Sequence, residues 1–147
     1  MIKASPITVE KIEFLRTFIE ANDLADPNTI GDFSFNGASI GWAFHSGQNE
    51  DGSTWVGVGF ATGNDADEGP ICPYMLDIQA VGVFSVADTV EEGKREPLVF
   101  ERGAALVYGA IREMVANITS RSAFGRLMLP TPSFQGLYDQ QKSQGQD

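Results

Sequence analysis

Apolar and polar positions alternate along four stretches of the chain, and then the period changes. Residues 7–20, 33–45, 54–62 and 74–86 repeat at two residues, the period of a strand. Between residues 98 and 118, Ala104, Val107, Ile111, Met114 and Ile118 recur at steps of three and four, the period of a helix. In the first stretch strict alternation sets Thr8, Glu10, Ile12, Phe14, Arg16 and Phe18 against Ile7, Val9, Lys11, Glu13, Leu15, Thr17 and Ile19. Both faces carry apolar residues. Glu10-Lys11 and Leu15-Arg16 are good helix formers, so a helix is the competing reading there. In the fourth stretch Tyr74, Leu76, Ile78 and Ala80 line one face, and Met75, Asp77 and Gln79 the other.

Turn chemistry separates these stretches. Residues 22–31 form a connection of about ten residues, long for a hairpin and suited to a crossover. Residues 46–53 read as a hairpin loop, residues 63–73 as an acidic turn, and residues 88–96 as an acidic linker. Pro97 suits a first helical turn, where its missing N–H costs no bond. The polar run Thr119-Ser120-Arg121-Ser122 closes the long helix, and a short second helix is expected from Ser133 to Tyr138. Residues 138–147 read as a frayed tail. Four strands followed by two helices predict an α+β fold. One domain over residues 1–147 would hold a four-stranded antiparallel sheet packed by one long and one short C-terminal helix.

The long helix is more apolar than one sheet requires. Leu106, Ala110 and Val115 lie beside or behind the main stripe. Arg102, Arg112, Glu113, Asn117 and Ser120 supply the polar cover. A helix apolar over half its girth packs on two sides. It is either the central helix of a monomer's core or a helix shared with a second subunit.

Charge and composition narrow the function. At 147 residues the chain can bury a core without staples. Residues 1–93 carry a net −12 and residues 94–147 a net +2. Such an acidic front half disfavours nucleic acid and favours basic partners. No apolar run reaches the roughly 18 residues of a membrane span. The N-terminal residues lack the apolar core of a signal peptide. A single cysteine points to a reducing compartment, so a cytoplasmic location is expected. Catalytic equipment is sparse. Cys72 and His45 are the one thiol and the one imidazole, and the plainer role for Cys72 is a small buried hydrophobe. Residues 64–69 resemble a calcium loop in composition but fail its spacing. No phosphate-binding glycine motif occurs in context. No cofactor or metal is expected.

From Tyr74 to Val86 the sequence resembles the last strand of the SecB protein-export chaperones. Arg112-Glu113, the run from Ile118 to Phe134 with its Thr-Ser-Arg-x-x-Phe and Leu-x-Leu-Pro-x-Pro-x-Phe pattern, and Leu137-Tyr138 resemble that family's helix end, interhelix loop and terminal helix. The resemblance covers residues 72–138 and is weak before residue 70. It implies a dimer of dimers, a homotetramer joined through the long helix at Val107, Ile111, Met114 and Ile118. It implies an ATP-independent holdase that binds unfolded polypeptides and delivers them to the translocase motor SecA. It places Tyr74, Leu76, Ile78 and Ala80 in the subunit-contact and client-binding region. Glu20, Met75 and Asp77 fall on the sheet face that meets SecA. Arg16 stands where the family has an acidic SecA-contacting residue, the 22–31 connection lacks the family's tryptophan, and Gly109 replaces a proline.

Client grooves would draw on Phe33, Ile40, Trp42, Trp55, Tyr74, Phe124, Leu127, Leu129 and Phe134, with core packing the competing role for each. A SecB-like chaperone of a toxin–antitoxin system is the alternative within the class. A small-ligand carrier or enzyme using Cys72 or His45 is the alternative outside it.

Overall fold

The computed structural model describes residues 1–28, 31, 33–62 and 69–144. Four strands precede two helices: β1 (Ile7–Ala21), β2 (Ile40–Gln48), β3 (Thr54–Thr62), β4 (Tyr74–Val86), α1 (Glu92–Thr119) and α2 (Leu137–Gln144). The strands form one antiparallel sheet in the order β1-β4-β3-β2. The chain therefore crosses from one sheet edge to the other between β1 and β2. Asn22 pins the start of this crossover. Its N–H donates to the Pro73 carbonyl at 2.8 Å and its Nδ2 to the Cys72 carbonyl at 3.0 Å. The expected α+β architecture is the observed one.

One sheet face is buried under α1. Val56, Val58 and Phe60 of β3 and Tyr74, Leu76, Ile78, Ala80 and Phe84 of β4 are enclosed there. Fully burying a side chain of this kind stabilises the fold by about 1.5–3 kcal/mol. The opposite face stays open.

Val99, Gly103, Val107, Ile111, Val115 and Thr119 form the buried ridge of α1, each four residues from the next. A ridge of fours is inclined to the helix axis, so the contact line winds around α1 as it crosses the sheet. That inclination corrects the stripe read from the sequence. Val107 and Ile111 belong to the chain's own core, whereas Met114 is half-buried and Ile118 is 40% exposed.

Other boundaries shift for local reasons. β1 carries two register shifts, at Glu10 and Leu15. Each inserts an extra residue and restarts the alternation. Ile12, Phe14, Thr17 and Ile19 consequently stand opposite helix-side residues of β4. β2 begins at Ile40 rather than residue 33, because Gly37 turns the backbone at φ +77° and the Ala38 N–H bonds the Phe35 carbonyl. It ends at Gln48, where the Asn49 N–H reaches the Ser53 carbonyl and opens the hairpin turn.

α1 begins at Glu92, inside the expected linker, and Pro97 lies within it. The bond Pro97 cannot make would go to the Gly93 carbonyl on an exposed turn, a carbonyl that solvent can reach. Arg95 Nε donates to the Val90 carbonyl at 2.9 Å and ties that turn down. α2 starts at Leu137, after Gly136 at φ +81°, and continues to Gln144 through part of the expected tail. Residues 63–68, with most of the calcium-like run, and residues 145–147 lie outside the described residues.

Candidate functional site

The segment after α1 is a strap fastened by side chains. α1 ends at Thr119, and Ser122 Oγ caps its last turn by donating to the Ile118 carbonyl at 2.9 Å. The chain turns at Gly125, whose φ of +79° with open space around its Cβ position calls for glycine's backbone freedom. Tyr74 Oη, rising from β4, donates to the Gly125 carbonyl at 2.7 Å and accepts the Phe124 N–H at 2.9 Å. Thr119 Oγ1 donates to the Val115 carbonyl at 2.6 Å and accepts the Leu127 N–H at 2.9 Å. Arg112 Nε donates to the Leu129 carbonyl at 3.1 Å, and Tyr108 Oη donates to the Pro130 carbonyl. Burial of Tyr108 pushes its phenol well above the usual tyrosine range, so it stays a neutral donor.

Beyond the prolines, Phe134 folds back into an aromatic cage. Its ring centroid lies 6.1 Å from Trp42, 5.8 Å from Phe44 and 5.7 Å from Tyr108. Such pairs contribute about 0.5–1.5 kcal/mol each beyond the area they bury. On the other side Phe33 and Phe35 pack edge to face at 4.9 Å, and Phe35 leans on Phe60. Between the strap and these rings runs an open groove of about 880 Å³, lined by Phe33, Phe35, Ile40, Trp42, Phe124 and Met128 among others. Arg126 is the one charged residue among the described residues that line it. Its chemistry is that of binding: apolar area, aromatic faces and main-chain groups.

The residues singled out from the sequence divide. Trp42, Phe124 and Phe134 are half-buried, and the first two line the groove together with Phe33, Ile40, Tyr74, Leu127 and the exposed Met128. Leu76, Ile78 and Ala80 are enclosed in the chain's own core, as is the Leu129 side chain. Trp55 lies on the opposite sheet face, against Leu15, His45, Gly57 and Gly59, because β3 alternates and Val56 and Val58 take the inner face. Phe35 and Met128 were missed. Phe35 repeats Phe33 at strand spacing, and Met128 is the spacer in Leu-Met-Leu.

Glu20 and Met75 are register partners, and Asp77 follows two residues along the same open face. Arg16 Nε holds the Asp77 carboxylate at 2.8 Å. Cys72 is enclosed, and burial raises its thiol pKa. His45 sits exposed on the open face, and no hydrogen bond joins the two among the described residues. No group of three metal-ligating side chains occurs among the described residues, and no helix there is long and apolar enough to cross a membrane.

Comparison with known proteins follows the same geometry. The family model for preprotein translocase subunit SecB matches residues 42–145. A protein-export protein SecB from Wolbachia pipientis subsp. Culex pipiens (strain wPip) is 29% identical over 86 residues, 57% of this chain and 52% of that protein. The chain thus spans about half the length of this curated relative. Among solved structures, the Mycobacterium tuberculosis Rv1957 SecB-like chaperone is similar with a TM-score of 0.58 and 18% identity, over 87% of this chain and 91% of that one. That chaperone was solved in complex with a ChAD peptide from the Rv1956 HigA1 antitoxin. A protein of unknown function from Streptococcus agalactiae is similar with a TM-score of 0.54 and 12% identity, over 87% of this chain and 99% of that one. At these identities the two structures carry the fold.

Proposed function

Since the chain belongs to the SecB family, we propose that it is an ATP-independent chaperone that holds unfolded polypeptides by seating apolar segments in the groove beside the strap. The observation that carries this reading is the groove itself. It is open and aromatic, and about 880 Å³ in volume. Apolar area of this kind contributes about 25 cal/mol per Å². A client long enough to reach several such grooves gains avidity with no tight single site. The net charge of −10 favours clients with basic flanks.

In this reading the chaperone is cytoplasmic and assembles as a dimer of dimers. Leu106 and Ile118, 43% and 40% exposed on the outer side of α1, support a helix shared between copies. Clients are handed to SecA across the open sheet face bearing Glu20, Met75 and Asp77. The Arg16–Asp77 pair, which neutralises that carboxylate, supports a second reading, holding without SecA delivery. The client would then be an antitoxin, as in the M. tuberculosis complex.

The test is refolding of a denatured export precursor or a reduced model protein in the presence of the purified chain. Slowed refolding and a stoichiometric complex are expected. Unchanged refolding with no complex would rule the holdase out. Tight binding of an antitoxin peptide beside weak binding of export precursors would select the second reading.

A further inference from the structure

The strap's side-chain fastenings leave a pattern in its main chain. Leu127 gives its N–H to Thr119, and Leu129 receives Arg112 on its carbonyl. Between and before them, Met128 and Arg126 use neither their main-chain N–H nor their C=O in any hydrogen bond among the described residues. Bonded and free residues alternate, as they do along a strand that is paired on one edge. Arg126 and Met128 therefore offer two donors and two acceptors beside the aromatic groove that they line. Pro130 and Pro132 have no N–H and end the free stretch after Leu129.

Resting on the holdase reading, we propose that Arg126 and Met128 form a short pairing edge. An extended client segment adds to it as a strand and points alternate side chains at Phe33, Phe35, Trp42 and Phe124. Main-chain pairing supplies affinity common to every polypeptide, and the aromatic floor selects for apolar side chains at every second position. The partner is an extended apolar segment with basic flanks, in keeping with the chain's net charge of −10. Only two residues pair, so each engagement is weak. A folded protein, its main chain already paired, cannot use the edge.

The experiment uses a fluorescein-labelled nine-residue probe, alternating valine and aromatic residues between lysine pairs, with binding read by fluorescence polarisation on the full chain. Two further probes replace two alternate amides by esters, one set in each register, which removes N–H donors and keeps the side chains. The parent probe binds, one ester set binds about tenfold more weakly, and the other binds like the parent. Equal losses in both sets, or no loss in either, overturn pairing along one edge. M128P is expected to weaken the parent probe about tenfold, and M128A by less than threefold. If M128P folds and binds like the unmodified protein, the strap is not the pairing edge. If M128P does not fold, the ester probes decide. Failure of the parent probe to bind overturns the groove reading and this inference together, whereas register-blind binding overturns this inference alone.

Discussion

Tyr74 in β4 and Gly125, fifty-one residues later, are joined by a hydrogen bond of 2.7 Å from the phenol to the Gly125 carbonyl, and the same oxygen accepts the Phe124 N–H. One side chain thus ties the sheet core to the wall of the groove. Tyr74→Phe keeps the ring and removes both bonds. A loss of about 1–2 kcal/mol in urea unfolding is expected, together with weaker client binding than the stability change alone predicts. Equal affinity for a peptide client in the two proteins would show that the wall needs no such fastening.

The two sides of α1 separate stability from assembly. Ile111→Ala cuts into the core ridge and is expected to cost about 2–4 kcal/mol. A Leu106→Ser, Ile118→Ser double variant alters exposed positions and is expected to stay within about 0.5 kcal/mol per site, yet to lower the mass of the assembly in sedimentation. An unmodified chain that sediments as a monomer contradicts the shared-helix proposal.

Two glycine-to-alanine changes are expected to have opposite signs. A Cβ on Gly82 would meet the Phe84 ring and Val107 Cγ2 at 2.7 Å, inside the core. Gly82→Ala should destabilise by about 1–3 kcal/mol. Gly109 is exposed in the middle of α1 with nothing within 4 Å, so Gly109→Ala should stabilise the protomer by about 0.5–1 kcal/mol. Thermal melts of the two variants check both signs.

Alkaline pH provides a separate measure of the strap. Burial raises the Tyr108 phenol above its ordinary value of 10.0 and the Cys72 thiol above 9.0. Both groups keep their protons in the folded state after the unfolded chain has lost them. Stability is full below about pH 9 and falls as pH rises through the folded-state values, by up to about 1.4 kcal/mol per pH unit for each group. Tyr108→Phe should flatten the decline above pH 10 in urea midpoints, and Cys72→Ala the earlier part. A slope unchanged by both variants would assign the alkaline loss elsewhere.

Arg16 and Asp77 form a partly exposed pair, worth no more than about 1 kcal/mol. Arg16→Asp should therefore alter the melting temperature little. On the proposal that SecA docks on the open sheet face, it should strengthen SecA binding there, with a steeper salt dependence in titration calorimetry. Unaltered binding would mean that Arg16 is not what limits that contact.

The local physics in the sequence determined a good deal. Strand alternation, helix period and turn residues determined the element order and the α+β class. The Leu-x-Leu-Pro-x-Pro-x-Phe run showed locally that the chain cannot continue a helix there, while its place beside a client groove was implied by the family resemblance. Tertiary structure decided which face each apolar residue uses. The two bulges in β1 leave composition unchanged; the first reverses the face used by the residues between them, and the second restores the original alternation. The inclined ridge of α1 sends Val115 and Thr119 inward and leaves Met114 half-buried and Ile118 exposed, although both pairs fit a helical period. The groove depends most on tertiary structure. Phe33, Trp42, Phe124 and Met128 come from three separated parts of the chain. Their convergence rests on side-chain bonds from Tyr74, Tyr108, Arg112 and Thr119 to distant carbonyls and amides, and no local pattern encodes those distances.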